Sequence, residues 1–351
     1  MKNKTLISIL LLVIMVASCT PIKPYQDVRN KDVRIYGDLG ESVIQTLWFN
    51  ESTNWPRKDK DVANNIMTLG MNPGLGIRAL HEQGITGKGI NVAIIDQNML
   101  LDHPEFHGKI VKYYDVGTKT ASHEGSMHGP AVTSLLIGEK IGTAPEANVY
   151  YAAAPSWTGD AQYYADALNW IIEENEKLPE GQKIRVVSVS AAPSGEGSPF
   201  TKNNYAWDTA YQRAMEAGIR VLDATREHRI TAPCYCDLHD PDNVAQCTPG
   251  WPAGKEYQLG KSQIHIPAAR RTTAEEYEQG NFSYQYDGQG GVSWTMPYLA
   301  GVLAMGWQID PDLTSADLLD MVFASAYVTE GNVKIINPPA FIDKVKSSLN
   351  E

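Results

Sequence analysis

Residues 89–96 read GINVAIID, an apolar run of strand length that ends in a carboxylate. Because residues 92–95 are all apolar, the run is typical of a strand buried on both faces. Similar runs follow at residues 148–154, 184–190 and 219–224, with helix-length amphipathic segments between them. This alternation predicts βαβ units, a parallel sheet and an α/β fold.

The segments between and after these strands predict the helices. We expect helices at residues 129–139, 161–177, 205–217, 293–308 and 315–327, and a short extended run at 263–267. Pro297 fits the first turn of the fourth helix, since its missing N–H has no helical partner there.

The whole chain is long enough for one large domain with short end segments. It has 351 residues, of which 43% are hydrophobic and 20% charged, so it is not compositionally disordered. Residues 20–72 are polar, of mixed charge and broken by Pro and Gly, and we interpret residues 19–72 as a tether and packing arm. Residues 73–351 are expected to form the main domain, with a long surface loop at about 226–260.

The first residues predict export. Two lysines precede an apolar run, and residues 1–18 therefore fit a secretory signal peptide rather than a resident membrane span. The run ends in VASC, which resembles a bacterial lipobox, so we expect Cys19 to be lipidated and to anchor the protein to an envelope membrane outside the cytoplasm. An ordinary cleaved signal that contains a cysteine is the alternative.

The net charge and the cysteines restrict which molecules the protein is expected to bind and which disulfides it can form. The chain has 30 basic and 41 acidic side chains, and loss of Lys2 and Lys4 leaves 28 against 41, a formal charge of about −13. That balance argues against nucleic acid or anionic lipid as a partner. Cys234, Cys236 and Cys247 allow at most one internal disulfide and leave one thiol. They lack CxxC spacing, and we expect neither a metal nor a cofactor.

Three segments offer the residue types that acyl transfer by a serine requires. Asp96 ends a strand at the edge where open parallel sheets place their sites, although an isolated Asp there is also a common turn cap. His128 opens a predicted helix, whose N-terminal dipole favours a neutral imidazole, but a His there is also a common polar cap. Ser293 follows a Gly-rich turn at a helix start, where Ser also serves as an N-cap.

Together these segments resemble the subtilisin-like serine peptidases. The motif VAIID ends at Asp96, HGP starts at His128, and GVSWTMP is centred on Ser293, in the family's order. A further stretch, GTAPEA at residues 142–147, resembles the turn that follows the family's His helix. The resemblance covers residues 73–313 and implies a three-layer fold, with a mainly parallel central sheet covered by helices on both faces. It also implies a catalytic triad of Asp96, His128 and Ser293.

The resemblance extends to substrate binding. Residues 186–190 resemble the family's substrate-binding strand, so Ser190, Ala191 and Ala192 are expected to line the cleft and pair with an extended polypeptide. A plain buried strand end is the alternative.

The oxyanion hole departs from the family pattern. Where the family has an oxyanion-binding Asn, the sequence has Glu227, which leaves Thr225 and Arg226 as candidate donors. Two functions therefore stay open. The first is a lipid-anchored serine endopeptidase, and the second is a catalytically weak or inactive peptide-binding lipoprotein with the same fold.

Overall fold

A computed structural model describes residues 21–118, 124–253 and 262–349 of the chain. Its strands are β1 (Trp48–Asn50), β2 (Asn91–Asp96), β3 (Ile110–Asp115), β4 (Asn148–Ala153), β5 (Ile184–Val189), β6 (Arg220–Leu222), β7 (Thr231–Tyr235), β8 (Thr248–Pro249), β9 (Ile264–Pro267), β10 (Arg271–Glu275), β11 (Ser283–Asp287), β12 (Tyr327–Val328) and β13 (Lys334–Ile335). Its α-helices are α1 (Glu41–Ile44), α2 (Arg57–Gly70), α3 (Ile77–Glu82), α4 (His128–Ile137), α5 (Gln162–Lys177), α6 (Asn204–Glu216), α7 (Thr295–Ile309), α8 (Ser315–Ser325) and α9 (Pro338–Ser348).

The central sheet is parallel, with the strand order β3-β4-β2-β5-β6. Every residue of β2 is buried, as the continuous apolar run predicted. Val92 and Ile94 belong to one apolar core, whereas Ala93 and Ile95 belong to another, because successive side chains leave a strand on opposite faces. The sheet therefore separates two cores.

Helices cover both faces of this sheet. Residues of α4 and α7 belong to the first core, and residues of α5 and α6 to the second. This arrangement confirms the predicted three-layer α/β fold. None of the helices in the three described ranges is long and apolar enough to cross a membrane.

The N-terminal region is more regular than its composition indicated. Helix α2 has 14 residues, and β1 pairs antiparallel with β11, next to β10. Phe49, Ile66 and Tyr286 are buried together in a third core that joins this region to the rest of the chain. The buried residues of α2 recur at helical spacing, so the helical period was present in the sequence although the region is polar on average; they are Asp59, Ala63, Ile66, Met67 and Gly70.

The expected long loop at residues 226–260 is wrong in part, because residues Thr231–Tyr235 form β7. This strand belongs to a second sheet, ordered β12-β13-β9-β7-β8, and pairs in parallel with β9. Its pairing partner lies some thirty residues further on, which a local reading of the sequence does not reveal.

The cysteine prediction is confirmed. Cys236 and Cys247 form a disulfide with a Cα–Cα distance of 4.0 Å. Cys234 is the remaining buried free thiol, and its burial raises its pKa. In the described part of the chain, no group of three or more His, Cys, Asp or Glu side chains is arranged to hold a metal ion.

Candidate active site

Asp96 is the last residue of β2 and lies at the carboxyl edge of the central sheet. Only 3% of its side chain is exposed. Its Oδ1 accepts hydrogen bonds from the backbone N–H of Gln97, at 2.8 Å, and from the imidazole of His128. The carboxylate is therefore buried and held by two donors rather than acting as a solvated turn cap.

His128 is the first residue of α4, and its Nδ1 lies 2.6 Å from Asp96 Oδ1. Gly129 allows this approach, because a Cβ atom there would lie 2.6 Å from the carbonyl oxygen of Gln97. Burial lowers the pKa of His128, but the charge of Asp96 and its hydrogen bond raise it by more, so the net pKa is raised. The contact with Asp96 therefore outweighs burial in its effect on the pKa of His128.

Ser293 lies in a 3₁₀ turn, Val292–Trp294, rather than at the predicted first position of the helix, since α7 begins at Thr295. Its hydroxyl donates to the carbonyl oxygen of Ser190 at 3.3 Å, and the hydroxyl of Ser190 donates to the carbonyl of Ser293 at 2.8 Å. Within the described residues, Ser293 makes neither a helix cap nor a hydrogen bond to His128. Trp294 instead connects the two segments, because its ring stacks on His128.

The turn before Ser293 is fixed by backbone geometry. Asp287 Oδ1 accepts hydrogen bonds from the N–H groups of Gln289 and Gly290, at 3.0 and 2.9 Å. Gly290 has a φ of +73°, and a Cβ atom there would lie 1.6 Å from the carbonyl oxygen of Ala268. Only glycine fits this position without moving the neighbouring chain.

A cavity of about 280 Å³ lies beside the Asp96 and His128 pair. The predicted substrate-binding residues Ser190, Ala191 and Ala192 line it. The remaining lining residues are Gln97, Ser156, Tyr164, Pro199 and Phe200. The lining thus combines apolar and aromatic side chains with polar ones.

Comparisons with known proteins find subtilisin-like serine peptidases. The subtilase family matches residues 87–225, a range that includes Asp96 and His128. The chain is therefore similar to the subtilases. The "Serine protease AprX" of Bacillus subtilis is 25% identical over 279 residues, covering 68% of this chain and 62% of that protein.

One further relative and one solved structure are similar to the chain. The "Subtilisin-like protease PopC" of Myxococcus xanthus is 20% identical over 292 residues, covering 72% of this chain and 58% of that protein. Fervidolysin of Fervidobacterium pennivorans, described as a keratinolytic enzyme related to subtilisin, has a TM-score of 0.57 and 14% identity. That match covers 81% of this chain and 46% of fervidolysin. The chain thus spans less than two thirds of the length of these relatives.

The candidate oxyanion donors occupy different environments in this structure. The hydroxyl of Thr225 is buried and, among the described residues, has no hydrogen-bond partner. Arg226 is largely exposed, and its Nη1 lies 2.7 Å from a carboxylate oxygen of Glu196. Glu227 accepts a hydrogen bond from the backbone N–H of Glu196, which lowers the pKa of Glu227. The structure therefore leaves Thr225 as the uncommitted side chain of the three.

Two features of the site were not anticipated from the sequence. Trp294 is 95% buried, and its ring stacks on that of His128. A second His–Asp pair also lies near the candidate oxyanion turn, since His228 Nδ1 is 3.7 Å from an oxygen of the buried Asp223. The two residues are only five apart in sequence, yet spacing alone did not indicate a pair.

Proposed function

We propose that this protein is a serine endopeptidase of the subtilisin-like kind, which hydrolyses peptide bonds in extended polypeptides through an acyl-enzyme. Ser293 is the nucleophile, His128 the general base and acid, and Asp96 the residue that orients and stabilises the imidazolium. The 2.6 Å hydrogen bond between Asp96 and His128, at the carboxyl edge of the sheet, is the observation that carries this proposal.

The hydrogen bond between Asp96 and His128 supports a first step in which His128 accepts the proton of Ser293. Because Nδ1 of His128 is bonded to Asp96, Nε2 is the nitrogen available to accept a proton. Ser293 Oγ leaves the carbonyl of Ser190, transfers its proton to Nε2 and attacks the peptide carbonyl carbon. His128 then donates that proton to the leaving amine, and water completes the same cycle by hydrolysing the ester of Ser293.

The negative charge that develops on the carbonyl oxygen needs donors. The backbone N–H of Ser293 and the hydroxyl of Thr225 are the proposed donors, whereas Arg226 is held by Glu196. Loss of one oxyanion donor costs about 10²- to 10³-fold in turnover in subtilisin, so a weaker hydroxyl donor is compatible with slow but measurable activity.

Polypeptide is the substrate class that the cleft supports. An extended peptide would pair with the edge at Ser190, Ala191 and Ala192, which lies beside the cavity that also contacts His128. Tyr164 and Phe200 give that cavity an apolar surface, which favours an apolar substrate side chain there.

A fluorophosphonate probe tests the proposed nucleophile directly. We expect the wild-type protein to be labelled and Ser293→Ala to be unlabelled at equal folded concentration. Ser348→Ala, in the C-terminal helix α9, is the matched control and should be labelled like wild type. Absence of Ser293-dependent labelling in folded wild-type protein would exclude the peptidase and leave the alternative, a non-catalytic peptide-binding lipoprotein.

We also propose that the protein is exported and anchored to an envelope membrane through lipid on Cys19. The signal-like residues 1–18 and Cys19 lie outside the described residues, so the support comes from the sequence and from the disulfide. The Cys236–Cys247 disulfide suits an oxidising compartment. Cys19→Ala should move the protein from the membrane fraction to the soluble fraction, and continued sedimentation with membranes would contradict the anchor.

A further inference from the structure

The segment next to Ser293 contacts the proposed base directly. The rings of Trp294 and His128 are stacked, with centroids 5.4 Å apart and an interplanar angle of 26°. Trp294 follows Ser293 in the same 3₁₀ turn, so one turn holds both the proposed nucleophile and the aromatic surface beneath the imidazole. The imidazole is thus restrained by Asp96 at Nδ1 and by the indole across one face.

Burying the indole N–H of Trp294 costs free energy, and an apolar residue could pack at this position without that cost. Only 5% of the residue is exposed, and its indole Nε1 is buried without a hydrogen-bond partner in the described ranges. A buried donor without a partner is destabilising, and Phe or Leu would fill an apolar site without that cost. The distinctive contribution of Trp is the large, electron-rich face that it presents to His128.

We propose that Trp294 is a positioning residue that holds the imidazole of His128 and stabilises its protonated form through a cation–π contact. This proposal rests on the proposed peptidase function. During acyl transfer His128 gains the proton of Ser293, and the ring quadrupole of the indole attracts the resulting positive charge. Asp96, at the end of β2, is the charged group in contact with the imidazole, and the indole acts from another direction on the same cation.

Two variants separate this role from simple packing. The rate constant of fluorophosphonate labelling is measured against pH for wild type, Trp294→Leu and Trp294→Phe. In Trp294→Leu we expect a lower plateau and an acid-limb midpoint lowered by about 0.5 to 1.5 pH units, because the imidazolium loses its aromatic partner. Trp294→Phe keeps a smaller aromatic face and should shift the midpoint in the same direction by less.

A purely structural role would lower the plateau and leave the midpoint in place. An unchanged or raised midpoint in folded Trp294→Leu therefore overturns the proposal. If that variant does not fold, Trp294→Phe decides the question by the same criterion.

An NMR titration keeps this proposal distinct from the peptidase proposal. The imidazole of His128 is titrated in the Ser293→Ala background with and without Trp294→Phe, and His228 serves as an internal control because it stacks on Tyr211 instead. A lowered His128 midpoint without any wild-type labelling would support Trp294 and refute the peptidase. Labelling of the wild type together with an unchanged titration midpoint of His128 would support the peptidase and refute the proposed role of Trp294.

Discussion

The packing of Phe49 predicts that the N-terminal region is part of the cooperative unit that forms the nucleophile turn. Phe49 is 1% exposed, and its ring lies 5.1 Å from the rings of Trp55 and Tyr286. Replacing a buried Phe by Ala costs about 3–5 kcal/mol, and the lost aromatic pairs place Phe49→Ala towards the upper end of that range. Such a loss is a large part of the stability of a typical domain, which is about 5–15 kcal/mol.

The same substitution should weaken labelling of Ser293, because the N-terminal region supports the turn that precedes it. Trp48 pairs with Asp287, the residue that fixes the turn, and Gly288 donates its backbone N–H to the carbonyl of Leu47 at 3.0 Å. Loosening β1 removes these supports from β11. Urea unfolding measures the loss of stability, and fluorophosphonate labelling at the same temperature measures the effect on Ser293.

Tyr205→Ala is the control for the Phe49 prediction, since Tyr205 is 72% exposed and its removal should cost less than about 0.5 kcal/mol. The reasoning is refuted if Phe49→Ala lowers stability by less than about 1 kcal/mol. It is equally refuted if the N-terminal region unfolds in a separate transition while labelling of Ser293 stays at the wild-type rate. Either result would mean that residues 19–72 do not belong to the cooperative unit that forms the nucleophile turn.

Three further predictions concern the remaining polar and covalent contacts. Asp96→Asn should reduce fluorophosphonate labelling by about 10⁴-fold while the protein stays folded, because the amide stabilises the wrong imidazole tautomer; near-wild-type labelling would contradict the assigned role. The contact with Asp223 raises the pKa of His228, so this ion pair stabilises the fold below about pH 6.5 and is lost as pH rises through the folded-state pKa. Over that rise in pH, the free energy of unfolding of wild type should therefore fall by up to about 1 kcal/mol relative to that of His228→Gln. If the two proteins show the same dependence of unfolding free energy on pH, the ion pair is excluded. Replacing both Cys236 and Cys247 by Ser should cost about 3 kcal/mol in urea unfolding, given a sequence separation of 11 residues, and an unchanged midpoint would show that the bridge adds nothing.

The central sheet could be predicted from the sequence because its signal is local. Residues 148–154 and 184–190 were predicted as strands, and the structure has Asn148–Ala153 and Ile184–Val189. Burial on both faces requires apolar residues at consecutive positions, and such runs are visible without knowledge of any partner. The hydrogen bond between Asp96 and His128 joins two motifs that the sequence had already singled out.

Features that depend on distant partners could not be predicted in the same way. The five residues of β7 become a strand through pairing with β9, and their own sequence, TAPCY, contains a Pro that argues against one. The stacking of Trp294 on His128 likewise requires the relative placement of α4 and the 3₁₀ turn. The identity of Trp294 is visible in the sequence, but the direction of its side chain is not.

The contacts of Glu227 bear on the candidate oxyanion turn. Glu227, which the sequence resemblance aligns with the family's Asn, accepts a hydrogen bond from the backbone N–H of Glu196, and Arg226 pairs with the side chain of the same residue. Gly195 makes room for this contact, because a Cβ atom there would lie 2.0 Å from the Glu227 carboxylate. A carboxylate that faced the developing oxyanion would repel it. The hydrogen bond to the backbone N–H of Glu196 instead holds the carboxylate of Glu227 against residue 196. The turn is thereby compatible with acyl transfer even though its side chain at this position accepts hydrogen bonds instead of donating them.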